Sequence, residues 1–219
     1  MITHHLEFAN AWLLFVALFA LYSPLAALSS YIPYVEGYSN AEQRKIAIGL
    51  FLNVLLMSMT ALWVGEPLLA LLGISTAALS ATGGVALMLA AVPMMMGSTK
   101  PAEPDPKAVN GAPRPPWRSI VFTPLTFPLT FGGTTFGFFV SYRAQSDSWT
   151  GAIGLSIAAL AYAAVTGITL YAAGHLGRRV SPAAAATLEK IAGILLVAIA
   201  VILLASGGTR LVVDVLHSL

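Results

Sequence analysis

The sequence predicts an all-α membrane protein of six transmembrane helices, built as a 3+3 inverted repeat with broken first and fourth helices. Three observations lead there. Of 219 residues, 58% are hydrophobic and only 9% charged, whereas a water-soluble domain carries about a quarter charged residues. Six apolar segments are each long enough to cross a hydrocarbon core, which takes about 20 helical residues. The one long polar stretch, STKPAEPDPKAVNGAPRPPWR at 98–118, divides them three and three. A formal charge of +2 implies no nucleic-acid partner; the partner that composition implies is the lipid bilayer. Without cysteine there is no disulfide, thiolate metal site or cysteine nucleophile.

The first segment, 9–33, follows MITHHLEFANAW, which has no Lys or Arg, so it reads as a retained span and not a secretory signal. His4 and His5 read as an ordinary polar chain end. Ser23-Pro24 and Pro33 interrupt the segment, and Ser29 and Ser30 add hydroxyls. The second, 46–71, holds Asn53, which reads equally as a ligand or as a helix–helix hydrogen bond. The third, 76–97, ends in Met94-Met95-Met96. Consecutive residues point around a helix, so these form no soft-metal ladder. The Pro- and charge-rich stretch then reads as a cytoplasmic linker between one repeat, 1–97, and the other, 119–219.

The fourth segment, SIVFTPLTFPLTFGGTTFGFFVSY at 119–142, carries Pro124, Pro128, Gly132 and Gly133 among Thr123, Thr126, Thr130, Thr134 and Thr135. On a regular helix Thr123, Thr126, Thr130 and Thr134 share one face. The fifth, 151–174, contains Tyr162 and Thr166, read as packing, and is followed by an interfacial His175; the sixth is 190–213.

Lys and Arg in short loops orient the chain. Arg44, Lys45, Lys100, Lys107, Arg114, Arg118, Arg178, Arg179 and Lys190 fall on one side, nine positive charges against Arg143 and Arg210 on the other. The expectation is a multi-pass protein of the cytoplasmic (inner) membrane with the linker inside and both termini on the outer, periplasmic side.

The halves resemble each other. Ser23-Pro24-Leu25 matches Thr123-Pro124-Leu125 at an offset of 100; further on, Gly65-Glu66, Leu79 and Gly84 match Gly174-His175, Leu188 and Gly193 at an offset of 109. An odd number of spans per half makes the repeat inverted, the build of many secondary transporters. A proline inside a helix removes an N–H and frees a carbonyl. Such backbone survives in hydrocarbon only when buried in protein or lining a wet cavity. The breakers therefore mark a site, with the hydroxyls completing its lining, although a hydroxyl row also serves as helix–helix glue. The site residues are Ser23, Pro24, Ser29, Thr123, Pro124, Thr126, Pro128, Thr130, Gly132 and Gly133, with Asn53 and Thr134 as secondary candidates.

No Asp, Glu, Lys or Arg lies in the middle of a segment, which argues against a proton relay or a strongly charged substrate. A zwitterion needs no side-chain charge: half-helix N-termini hold a carboxylate and freed carbonyls hold an ammonium. There is no HExxH, nucleotide-binding glycine loop or GxSG element. The expectation is a protein that is no enzyme and has no cofactor or metal.

Two motifs carry a family resemblance. One is SPLAALSSYIPYVEGYSNAEQRKIA from Ser23, the other PLTFPLTFGGT from Pro124. In order and spacing they resemble the two motifs that open each half of the MarC family, also called the small neutral amino acid transporter family. Its first motif is Asn-Pro-x-Gly-x-x-Pro leading to Glu-Gly; Pro24, Glu36 and Gly37 match, while Ser23, Ala26 and Ser29 replace the Asn, Gly and second Pro. Its second is Pro-Leu-x-x-Pro before Gly-Pro-Gly; Pro124, Leu125, Pro128 and Gly132 match, while Gly133 and Thr134 depart. The resemblance implies alternating-access transport, with export included, of small neutral amino acids such as glycine or alanine. It leaves open the coupling ion (H+ or Na+), a homo-oligomeric state and the substrate preference. The competing readings are a lysine-exporter-type transporter of another small solute or metal ion, and a non-transporting membrane regulator.

Overall fold

The structure, a computed structural model, describes residues 2–97, 115–146, 148–176 and 182–218. Helices dominate, and there is no strand among the described residues. The order is α1 (Ile2–Tyr22), α2 (Pro24–Val35), α3 (Asn40–Leu71), α4 (Thr76–Met96), the short α5 (Trp117–Ile120), a π-type segment (Val121–Thr130), α6 (Gly133–Arg143), α7 (Trp149–Leu176) and α8 (Pro182–Ser218). Most of the expected linker, 98–114, lies outside the described residues.

Among the described residues, four helical stretches are long and apolar enough to cross a membrane: Asn40–Leu71, Ala77–Met96, Trp149–His175 and Lys190–Val213. They are the second, third, fifth and sixth segments expected from sequence. The other two are each divided. The first breaks between Tyr22 and Pro24, the fourth between Val121 and Gly133.

Local chemistry sets these boundaries. Ser39 and Glu42 form a capping box at the start of α3: the Glu42 amide donates to Ser39 Oγ (3.3 Å), and the Ser39 amide to Glu42 Oε2 (3.0 Å). Gln43 Nε2 donates to the carbonyls of Val35 (3.2 Å) and Tyr38 (3.0 Å), which holds the end of α2 against α3. Proline alone does not break a helix here, since Pro67 and Pro93 sit inside continuous α3 and α4. At the first break, Ser23 adopts a left-handed conformation (φ 45°) ahead of Pro24. At the second, two prolines four apart force the residues before them, Thr123 and Phe127, into extended backbone.

α4 packs along α8, and α3 along α7. Both pairs run antiparallel. Gly84 lies against Ala200 and Leu204, and Gly207 against Ala77 and Ala81; Gly167 lies against Ala47 and Phe51, and Gly174 against Gln43. A Cβ on Gly84 would sit 2.9 Å from the Leu204 amide nitrogen, so the two backbones meet only because that side chain is missing. Small residues at such crossings give membrane helices their close packing.

Two pairs of helix starts lie at one spacing. α7 starts 109 residues after α3 (Trp149 against Asn40), and α6 starts 109 after α2 (Gly133 against Pro24). The residue ahead of each half-helix, Ser23 or Gly132, follows the same offset. At that spacing Ser23-Pro24 aligns with Gly132-Gly133. The offset of 100, which paired Ser23-Pro24 with Thr123-Pro124, matched similar tripeptides that sit at different places in their breaks.

Candidate functional site

Where the two breaks meet there is a cavity of about 290 Å³. Tyr22 at the end of α1 and Ser30 and Tyr31 of α2 form one wall. Pro128, Thr130 and Gly132 of the second break form another, and Thr134 and Thr135 of α6 and Tyr162 of α7 close it. Its polar groups are hydroxyls and backbone; among the described residues no Asp, Glu, Lys or Arg lines it.

Thr130 is the hub. Its Oγ1 donates to the Leu125 carbonyl at 2.6 Å. That bond uses its one hydroxyl proton, so at the 2.5 Å contact between the two hydroxyls Tyr31 is the donor. Tyr22 in turn donates to the Tyr31 hydroxyl (3.1 Å), and Tyr162 donates to the Thr130 carbonyl (3.0 Å). The hydroxyls thus form a directed chain, Tyr22 to Tyr31 to Thr130 to the Leu125 carbonyl. Thr130 is buried, and Tyr31 and Tyr162 are fully so. In a low-dielectric interior such a satisfied network fixes side-chain positions.

The residues expected from sequence divide into groups. Pro128, Thr130, Gly132 and Thr134 line the cavity. Thr126 is buried one layer away, donating to the Val121 carbonyl (2.8 Å) and accepting from Asn53 Nδ2 (3.3 Å). Asn53 therefore makes a helix-to-break hydrogen bond and does not reach the cavity wall. Ser23 and Pro24 lie at a separate apolar groove with Phe19 and Leu195. Thr123 and Gly133 are exposed, and neither they nor Pro124 line the cavity. The Ser29 side chain lies outside the described residues. The single face expected for Thr123, Thr126, Thr130 and Thr134 does not form. It presumed a regular helix, and the extended residues Thr123 and Phe127 change the turn between them. Tyr22, Tyr31 and Tyr162 were missed, Tyr162 having been read as packing. A tyrosine among apolar residues gives no signal in sequence that its hydroxyl will meet a broken backbone.

The α6 N-terminus faces the cavity through Gly132, Thr134 and Thr135. Among the described residues no side chain caps that end, and the first amides of a helix have no partner within it.

Long apolar helices, two broken ones and an uncharged polar cavity between the breaks define a polytopic helical membrane protein. A family model described as "MarC family integral membrane protein" matches residues 8–212, and the chain belongs to that family. No curated protein and no solved structure gives a match.

Proposed function

We propose that this chain is a secondary transporter of small neutral amino acids in the cytoplasmic membrane, working by alternating access around the cavity at its two helix breaks. It moves its substrate unchanged and is not an enzyme. The observation that carries this is the chemistry of the cavity. Drug-sized ligands occupy pockets of roughly 300–1,000 Å³, so 290 Å³ suits a small solute. The uncapped amides at the start of α6 offer donors for a carboxylate. The hydroxyl protons of Tyr31 and Thr130 are already donated inward, so their oxygens offer acceptors for an ammonium. Opposed donors and acceptors without net charge suit a zwitterion.

An inverted 3+3 repeat of six spans is part of this reading. It is supported by the offset of 109 residues between the starts of α2 and α6 and of α3 and α7, and by the antiparallel packing of the pairs α3–α7 and α4–α8. Inversion requires corresponding helices to run in opposite directions. The nine-to-two distribution of Lys and Arg supports both termini on the outer side. The substrate site comprises Pro128, Thr130, Gly132 and Thr134 together with Tyr22 and Tyr31. Thr126 and Asn53 support the break behind it. A proton or sodium ion would couple transport.

The test is counterflow in proteoliposomes loaded with unlabelled glycine, alanine, serine or threonine, with a labelled trace outside. Transient accumulation that is lost in Thr130→Val is the expected result. Absence of accumulation for every neutral amino acid, from folded protein, would overturn the reading.

A further inference from the structure

Away from the cavity, α3 and α7 leave a groove of about 390 Å³ on the outside of the bundle. Ala47, Ile48 and Phe51 form its α3 side, and Ala164, Gly167 and Ile168 its α7 side. Both helices are among those fit to span the membrane, and Ile48 and Ile168 are exposed. The medium around such a face is lipid, and what fills an apolar groove there is an acyl chain.

One end of the groove is different. Arg44 and Tyr171 close it, and the His175 ring packs on Tyr171 at 4.6 Å. Arg44 is exposed and makes no hydrogen bond or ion pair among the described residues. Its level in the membrane follows from α3 itself. At 1.5 Å per residue, its 32 residues span about 48 Å, well beyond a hydrocarbon core of about 30 Å. The charged residues Glu42, Arg44 and Lys45 all lie in its opening turns, before the apolar run that begins at Ile46. Trp117, with Lys45 and Arg118 at 5.9 and 5.3 Å from its ring, marks the same end as interfacial.

Two other apolar grooves, at Trp12–Ala158 and at Phe19–Leu195, have no charged residue in their lining among the described residues. We infer that the α3–α7 groove is a binding site for an anionic phospholipid, with an acyl chain between Phe51 and Ala164 and the phosphate on Arg44 and Tyr171. A guanidinium with no partner among the described residues, at headgroup depth, attracts a phosphate, and favours most a headgroup whose phosphate charge is not cancelled by an ammonium. The continuous groove beneath it selects a ligand that also has a chain. This site does not depend on what the central cavity carries.

The test is native mass spectrometry of the delipidated full-length protein titrated with dioleoyl phosphatidylglycerol or dioleoyl phosphatidylcholine. The wild type should take its first phosphatidylglycerol about five-fold more tightly than phosphatidylcholine, the effect of one basic residue near a charged headgroup. Arg44→Gln should abolish that preference. Ala164→Leu, which fills the groove and keeps the charge, should weaken the first binding event for both lipids. Glycerol phosphate in excess should fail to displace the bound lipid. Retention of the full preference in Arg44→Gln, unaltered binding in Ala164→Leu, or displacement by glycerol phosphate would each overturn the assignment. Monodispersity and wild-type melting of both variants keep misfolding apart from loss of the site.

Discussion

Thr130 joins three parts of the molecule through one hydroxyl and one carbonyl: the second break, α2 through Tyr31, and α7 through Tyr162. Tyr31→Phe removes the donor to Thr130 and the acceptor for Tyr22, but leaves the Thr130–Leu125 bond. Side-chain hydrogen bonds inside membrane proteins contribute about 0.6 kcal/mol on average and up to ~1.7. Melting in detergent should therefore show a loss of about 1 kcal/mol for Tyr31→Phe. The double variant Tyr31→Phe/Thr130→Val should lose less than the sum of the two single changes, because both delete the same bond. Strict additivity would separate the two residues and dissolve the network. Sequence alone reached Thr130, because a hydroxyl beside Pro128 and Gly132 already implies exposed backbone. It did not reach Tyr31, whose partner is 99 residues away. Nothing local in YIPYV distinguishes a tyrosine that lines a cavity from one that packs.

At the scale of the element, what matters is where a helix stops. The broken first and fourth segments were legible because prolines and glycines cluster there. Their geometry was not. Pro67 and Pro93 show that a proline can sit in an unbroken membrane helix. What separates Pro24 is the residue before it, Ser23, the sole described non-glycine residue with positive φ. A left-handed conformation costs an L-residue with a Cβ roughly 1–2 kcal/mol, and glycine escapes that cost. Ser23→Gly should therefore raise the unfolding free energy by about 1 kcal/mol with the break in place, and Ser23→Val should lower it. Thermal unfolding of the two variants checks this; a less stable Ser23→Gly would mean that the Ser23 hydroxyl matters more than its backbone. The second break uses another device, two prolines four residues apart. An i to i−5 hydrogen bond from the Phe131 amide to the Thr126 carbonyl (2.8 Å) closes it. That wide turn rotates Thr126 and Thr130 inward and leaves Thr123 outside, which no spacing rule for a regular helix anticipates.

For the whole molecule, the feature that organises the rest is the crossing of α4 and α8. The contact between Gly84 and Leu204 has a counterpart between Gly193 and Met95. Shifting Gly84 forward and Leu204 back by the offset of 109 residues turns one contact into the other. The match of Gly84 with Gly193 was visible in sequence, but only as two glycines in an apolar chain. Their common purpose, admitting the other helix, needs the fold. The proposed two-fold relation between the halves makes a prediction that one special glycine would not. Gly84→Leu and Gly193→Leu should do similar damage, about 1–3 kcal/mol each from overpacking, seen as lower melting temperatures and loss of monodisperse protein. Gly208→Leu is the control. It lies on the same helix as Gly193, next to the close-packed Gly207, and a Cβ there meets nothing within 4 Å, so it should be tolerated. Equal sensitivity at all three positions would reduce the result to a general intolerance of bulk in α4 and α8. Damage at Gly84 and Gly193 with none at Gly208 would tie the stability of the bundle to the two related contacts. The cavity lies between the halves that this crossing holds together, so the same variants should also lower counterflow even where protein survives. Thr130→Val, by contrast, should abolish counterflow while costing stability only on the scale of Tyr31→Phe, about 1 kcal/mol.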